Sequence, residues 1–144
     1  MNITTSSTIK APIDKVWDFI KNPKNIAECS PDISEFEFKT KTTFTMKVKP
    51  HFSFIQGSMA LSCKITHLED YKETIEVTGK GIGSSLNMTI NVEAKAKGKN
   101  TFLSGSADCA FGGLLKPIPE SILQAAAGKV INQLLECVEQ KCKT

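Results

Sequence analysis

Residues 118–141, IPESILQAAAGKVINQLLECVEQK, predict one long amphipathic helix near the end of the chain. Pro117 and Pro119 mark its start, because proline is tolerated before and within a first helical turn but not further inside. About 24 residues at 1.5 Å each give a helix of ~36 Å, enough to cross a small domain. The apolar stripe comprises Leu123, Ala127, Val130, Ile131, Leu134, Leu135 and Val138, and the polar face comprises Lys129, Asn132, Gln133, Glu136 and Gln140.

Such a helix needs an apolar surface to cover, and residues 33–111 supply one. Apolar side chains there recur at every second position in six successive segments, which is the period of a β-strand. The connections are short, as at residues 98–100, so neighbouring strands should be antiparallel. The inward positions begin with Phe36, Phe38, Phe44, Met46 and Val48, continue with Met59, Leu61, Cys63, Ile65, Ile75 and Val77, and end with Leu86, Met88, Ile90, Val92, Leu103, Ala107, Cys109 and Phe111.

The first 32 residues complete the predicted architecture. An alternating run from Ile3 to Ile9 predicts a seventh strand. Proline at position 12 then opens a short helix, and residues 23–28 predict a second one before the turn at residues 30–32. The expected fold is α+β, a helix-grip: a seven-stranded curved antiparallel sheet wrapped round the long C-terminal helix, with two short helices between the first two strands. Residues 1–144 should form a single domain.

Composition narrows the class of function. The chain has 144 residues, and its 18 basic residues are all lysine against 15 acidic ones, for a net charge of +3. Arginine supplies the bidentate contacts that recognise guanine and phosphate, so its absence argues against nucleic-acid recognition. No segment approaches the roughly 20 apolar residues of a membrane helix, and residues 1–7 lack the features of a secretory signal. We therefore expect a cytoplasmic protein.

Five cysteines, Cys29, Cys63, Cys109, Cys137 and Cys142, form an odd set with no C-x-x-C pair. This fits neither a disulfide framework nor a zinc site. We expect reduced, mostly buried thiols.

Six motifs spread along the chain are Ala11-Pro12 with Val16-Trp17, Asn22-Pro23, Ala27-x-Cys29-x-Pro31, Gly79-Lys80-Gly81-Ile82-Gly83, Gly112-Gly113 and residues 129–136. With these motifs nearly the whole chain resembles the carbon monoxide dehydrogenase CoxG family, within the START-like or Bet v-like helix-grip superfamily. The resemblance implies a small soluble protein encoded beside molybdenum hydroxylases, with a proposed role in enzyme assembly or membrane attachment. It further implies a hydroxylase partner and transient contact with a membrane surface, but no carbon monoxide oxidation.

Other patterns favour no catalytic, metal or cofactor site. The glycines at 79, 81 and 83 should form a hairpin or bulge, because a strand and not a helix follows them. His51 and His67 lack the neighbouring ligands of a metal site. Most acidic residues fall on outward positions, which leaves Glu28, Asp32 and Tyr71 as the strongest acid or base candidates. We expect no enzyme activity and no cofactor.

Two features point instead to ligand binding. Residues 50–57, PHFSFIQG, are far more apolar than most loops, so Phe52 and Phe54 either enter the core or flank the mouth of a pocket. The run Gln124-Ala125-Ala126-Ala127-Gly128 places small side chains at the middle of the helix stripe. Alanine also favours helices, so propensity alone explains the run equally well.

Small side chains over a concave sheet would leave a void. A dry void of ~300 Å³ would cost about 7 kcal/mol at ~24 cal/mol per Å³, which rivals the stability of a domain. The space should therefore be hydrated, collapsed or occupied by a ligand, and we favour the ligand.

The leading hypothesis is a protein that binds a lipid, isoprenoid or quinone, gated by residues 50–57 and 111–116, with Gln124 meeting the polar end of the ligand. The alternatives are a polyketide cyclase-like enzyme and an adaptor protein with an incidental cavity. The predicted ligand-binding residues are Trp17, Phe38, Phe44, Met46, Phe52, Phe54, Met59, Leu61, Ile75, Met88, Ile90, Phe111, Leu114, Leu123, Gln124, Ala127 and Ile131.

Overall fold

A computed structural model describes residues 1–50 and 57–143, and these form seven strands and three helices. The predicted helix-grip architecture, with two short helices between the first two strands, is confirmed. The strands are β1 (Asn2–Ile9), β2 (Ile33–Phe38), β3 (Thr43–Val48), β4 (Met59–Glu69), β5 (Lys72–Gly81), β6 (Ser84–Lys97) and β7 (Asn100–Gly113), and the helices are α1 (Ile13–Ile20), α2 (Pro23–Glu28) and α3 (Glu120–Cys142).

The seven strands form one antiparallel sheet in the order β1-β7-β6-β5-β4-β3-β2. The strands β2 to β7 pair in chain order, each with the next one. The exception is β1, which pairs with β7 and forms one edge of the sheet. The register aligns Met88 with Val77 on one side and with Cys109 on the other. Side chains alternate along each strand, so these three residues lie on the same side of the sheet, which we call the inner face.

The helix α1 covers one end of the inner face. Its residues Val16, Trp17 and Ile20 are buried in a cluster with Ile9 of β1 and Val138 of α3. The spacing of the three α1 residues places them on one face of the helix, as the sequence predicts. This cluster anchors α3 at its C-terminal end.

The glycine-rich segment forms the predicted hairpin between β5 and β6. Gly81 and Gly83 have φ angles of +145° and +68°, values that side chains with a Cβ rarely adopt. The strand β6 begins at Ser84, directly after the turn. The hypothesis of a hairpin is confirmed.

The expectation of five reduced cysteines is wrong for two of them. Cys29, the residue after α2, forms a disulfide with Cys137 on α3, with the two Cα atoms 5.7 Å apart. The sequence conceals the pair because 108 residues separate its members. Cys63, Cys109 and Cys142 are free and buried, as expected.

Candidate functional site

The middle of α3 packs loosely against the sheet. Leu123 and Val138, near its two ends, are buried, whereas Ala127, Val130 and Ile131 between them are only partly buried. The opposing inner face shows the same pattern, since Met88, Ile90 and Ala107 on the central strands are also partly buried. Close packing would bury all of these side chains. The helix therefore spans a hollow rather than a filled core.

An apolar cavity of about 200 Å³ occupies part of this hollow, between α3 and the inner face. The volume is below the roughly 300–1,000 Å³ of most ligand pockets, so it holds part of a drug-sized molecule. Lys49 is the only charged side chain among the described lining residues. The lining comprises Met1, Ile3, Val48, Lys49, Pro50, Met59, Leu86, Met88, Cys109, Phe111, Leu115, Leu123, Ala126, Ala127 and Val130.

The structure brings five of the predicted ligand-binding residues together in this lining: Met59, Met88, Phe111, Leu123 and Ala127. Several lining residues that were not predicted carry the same signals. Val48, Leu86 and Cys109 follow the strand alternation, and Val130 belongs to the apolar helix stripe. Met1, Ile3, Lys49, Pro50, Leu115 and Ala126 complete the set.

Other predicted residues lie in the packed clusters beside the cavity. Trp17 packs edge-on against Tyr71, with ring centroids 6.0 Å apart, in the α1 cluster. Phe44 is buried in a second cluster, where the partly buried Met46, Leu61, Ile75 and Ile90 contact it or its buried neighbours.

Two of the predicted apolar residues are exposed. Phe38 is 43% exposed at the edge strand β2, where it packs against Phe36 and Phe44, and Leu114 is 59% exposed in the loop after β7. Phe52 and Phe54 lie outside the described residues, so their predicted role at a pocket mouth stays a prediction.

Gln124 and Ile131 occupy a different position from the one expected. They line a groove between α3 and the edge strand β1, together with Thr4, Gly128 and Asn132. Gln124 is exposed there and does not line the apolar cavity. Its placement gives no support to the role of meeting a ligand's polar end inside the fold.

The acid and base candidates also lie away from the cavity lining. The Tyr71 hydroxyl donates a hydrogen bond to Asp14 Oδ1 at 2.6 Å, and this bond raises the pKa of Tyr71. Glu28 is exposed at the end of α2, and the backbone amide of Asp32 donates to Ser30 Oγ. None of the three lines the cavity.

A buried acid that the sequence prediction also missed is Glu73, on the inner face of β5. Glu73 is 3% exposed, and burial raises its pKa to about 7. Its Oε2 atom is buried without a hydrogen-bond partner among the described residues. The signal was present in the sequence, because Glu73 shares the alternation of Ile75 and Val77 and therefore faces inward.

The buried thiols offer no activated nucleophile. Burial raises the pKa of Cys63 to about 11 and also raises the pKa of Cys109, so both stay protonated at neutral pH. Across residues 1–50 and 57–143, no three His, Cys, Asp or Glu side chains gather as metal ligands would. In the same part of the chain, no helix has both the length and the hydropathy to span a bilayer.

A curved antiparallel sheet, closed over a long C-terminal helix with an apolar cavity between them, is a START-like helix-grip fold. The chain belongs to the carbon monoxide dehydrogenase CoxG family, whose sequence model matches residues 6–143. A search of curated proteins finds no match.

Solved structures share the fold at low sequence identity. A conserved protein from Geobacillus kaustophilus superposes with a TM-score of 0.90 at 16% identity, covering 99% of this chain and 95% of its own. A START superfamily protein from Mycobacterium smegmatis has a TM-score of 0.79 at 12% identity, covering 98% and 96%. Ara h 8.0201 has a TM-score of 0.71 at 14% identity, covering 99% and 97%.

Proposed function

We propose that this protein binds an apolar small molecule, of the lipid, isoprenoid or quinone type, between the sheet and α3, and releases it unchanged. The observation that supports the proposal is the apolar cavity along the N-terminal half of α3, where Ala126 and Ala127 line the same space as Met88 and Phe111. Larger side chains at the two alanines would fill this space.

The apolar character of the lining supports an occupant. The cavity of about 200 Å³ is open to solvent, so its apolar lining meets water when no ligand is bound. An apolar ligand would remove this surface from water, which is favourable by roughly 25 cal/mol per Å² of apolar surface buried.

The chemistry of the lining supports binding without turnover. General acid–base catalysis needs groups positioned near the reacting atoms. Lys49 and the protonated thiol of Cys109 are the titratable side chains among the described lining residues. A polyketide cyclase-like enzyme would need a wetter pocket with converging polar groups.

A role beside a molybdenum hydroxylase of the carbon monoxide dehydrogenase type rests on family membership. In this proposal the protein delivers or withholds its ligand near the hydroxylase or at a membrane surface. The alternative is an adaptor that docks onto the hydroxylase and whose cavity has no function. Membership of the CoxG family supports this alternative equally well. Ligand binding separates the two, because an adaptor needs no occupied cavity.

The test is a titration with a fluorescent fatty acid, followed by exchange against neutral apolar competitors. We expect micromolar affinity, competition by apolar molecules and no chemical change in the recovered probe. A folded protein that binds no apolar probe would overturn the proposal in favour of an adaptor. Conversion of the probe would favour an enzyme.

A further inference from the structure

Glu73 is a buried acid on the inner face of β5. Its neighbours on the inner face are Tyr71 just before β5, Ile75 within β5, Val92 across on β6 and Leu68 across on β4. None of the four carries a charge. Fully buried glutamate is rare in proteins unless it is paired.

Among the described residues, one oxygen of the carboxyl group has no hydrogen-bond partner. Glu73 is 3% exposed, and its Oε2 atom has no hydrogen-bond partner among residues 1–50 and 57–143. A buried polar atom without a hydrogen-bond partner has lost its hydrogen bonds to water and gained none in the protein, which destabilises the folded state. A hydrogen-bonding group on a bound ligand would satisfy this atom.

The inner face leads from the apolar cavity to Glu73. Met88 lines the cavity and pairs with Val77, which is four residues from Glu73, or ~13 Å along an extended strand. The intervening Ile75 and Ile90 are only partly buried. A chain of methylene groups lying on them would cover apolar surface that the fold leaves uncovered.

A neighbouring glycine keeps this part of the inner face shallow. Gly105 on β7 pairs with Val92, and a Cβ atom built on it would find no atom nearer than 3.5 Å. The side chain of Thr5, on the other side of Gly105 in the register, is the nearest side chain to that position. A methyl-sized group would therefore fit beside Val92 in ordinary van der Waals contact.

We propose that the Glu73 carboxyl group is the polar end of the ligand site and accepts a hydrogen bond from the hydroxyl group of a long-chain alcohol. This inference rests on the proposed function, since the hydrocarbon tail would lie in the apolar cavity. A ligand carboxylate and an ionised Glu73 would repel each other, so a fatty acid would place its carboxyl group there only with one of the two acids protonated. A ligand ammonium group would pay a large desolvation cost in the interior. A neutral hydroxyl avoids both penalties.

The test compares decan-1-ol with decyl methyl ether, which has the same alkyl chain but no hydroxyl donor. Isothermal titration calorimetry with the wild-type protein should show about tenfold tighter binding of the alcohol, the usual value of one buried hydrogen bond. Glu73→Leu should bind both molecules with the affinity that the wild type shows for the ether. Glu76→Leu, on the opposite face of the same strand, is the matched control and should keep the preference.

The outcomes separate this inference from the proposed function. Equal affinity of the wild type for alcohol and ether would overturn the role of Glu73 while leaving the apolar site in place. An undiminished preference in Glu73→Leu would overturn it as well. If neither molecule binds the folded wild-type protein, the proposed function itself fails. The wild-type comparison needs no variant, so it decides the question even if Glu73→Leu does not fold.

Discussion

At the scale of single residues, Ala127 gives the sharpest test of where the cavity lies. Ala127→Phe should abolish binding of an apolar probe while the melting temperature holds or rises, because a ring added to a real cavity fills it. In a filled core the same ring would cost about 1–3 kcal/mol. Thermal unfolding and probe titration together measure both effects.

Ala125→Phe is the matched control for this substitution, since Ala125 is exposed on the same helix. It should leave both probe binding and stability near their wild-type values. A melting temperature lowered by many degrees in Ala127→Phe alone would show ordinary core at this position. Unchanged binding in Ala127→Phe would place the ligand elsewhere.

Glu73 should make the stability of the protein depend on pH. Burial raises its pKa from the ordinary 4.5 to about 7. Between these values the folded chain binds more protons than the unfolded chain, so stability falls as pH rises through this window. The full effect is a loss of about 3 kcal/mol above pH 7, and it is absent below pH 4.5.

Urea unfolding at several pH values checks this expectation by comparison with Glu73→Gln, which has no titrating group at this position. The stability advantage of Glu73→Gln over the wild type should grow between pH 4.5 and 7. Glu76→Gln, on the opposite face of β5, should show no such trend. A constant difference between Glu73→Gln and the wild type would show that Glu73 is not desolvated in solution.

Gln124 and Glu73 show how far the sequence predicts the site. The periodicity of the helix placed Gln124 near the sheet-facing stripe, but a helix beside an edge strand exposes one flank, and Gln124 lies there. The strand alternation would have placed Glu73 inward, but an acid within a strand is usually solvated. Periodicity predicts which side of a helix or strand a residue lies on. Whether its side chain is buried, exposed or part of a cavity depends on how the elements pack together.

At the scale of elements, the disulfide ties α2 to α3. A cross-link between residues 108 positions apart removes much of the freedom of the unfolded chain, with a stabilising effect of about 2–4 kcal/mol. Dithiothreitol should therefore lower the melting temperature of the wild-type protein. The variant C29A/C137A, which has no cross-link to lose, should melt at the same temperature with and without reductant.

An unchanged wild-type melting temperature after complete reduction would contradict a stabilising role for this cross-link. The pair also bears on the expected cytoplasmic location, because structural disulfides are rare in reducing compartments. The location stays a prediction. Thiol labelling of protein taken from its own host would report which state the pair adopts there.

The predicted helix and strand boundaries agree with the structure wherever the apolar residues recur with a clear period. The helix predicted over residues 118–141 is observed as Glu120–Cys142, and the strand period predicted the central sheet. The strand β2 departs from its period, since the register shifts between Ser34 and Glu37, and Glu35 has a φ angle of +54°. A bulge of this kind depends on the neighbouring strand, so a single sequence does not reveal it.

At the scale of the whole molecule, the fold persists where sequence identity does not. The protein from Geobacillus kaustophilus shares only 16% of its residues with this chain, yet the TM-score is 0.90. A sheet that wraps a helix needs apolar alternation and a long amphipathic stripe, and many sequences satisfy both. The choice of ligand depends on the few residues that line the hollow. The apolar pattern requires these residues to be apolar but does not specify which ones they are.

The most direct test of ligand binding is native mass spectrometry of the protein purified from its own host, followed by organic extraction. We expect a folded species whose mass exceeds that of the chain by one apolar molecule, released on denaturation and recovered in the organic phase. The mass of the bare chain alone, from protein that is folded and gains no mass when apolar molecules are added, would contradict the account.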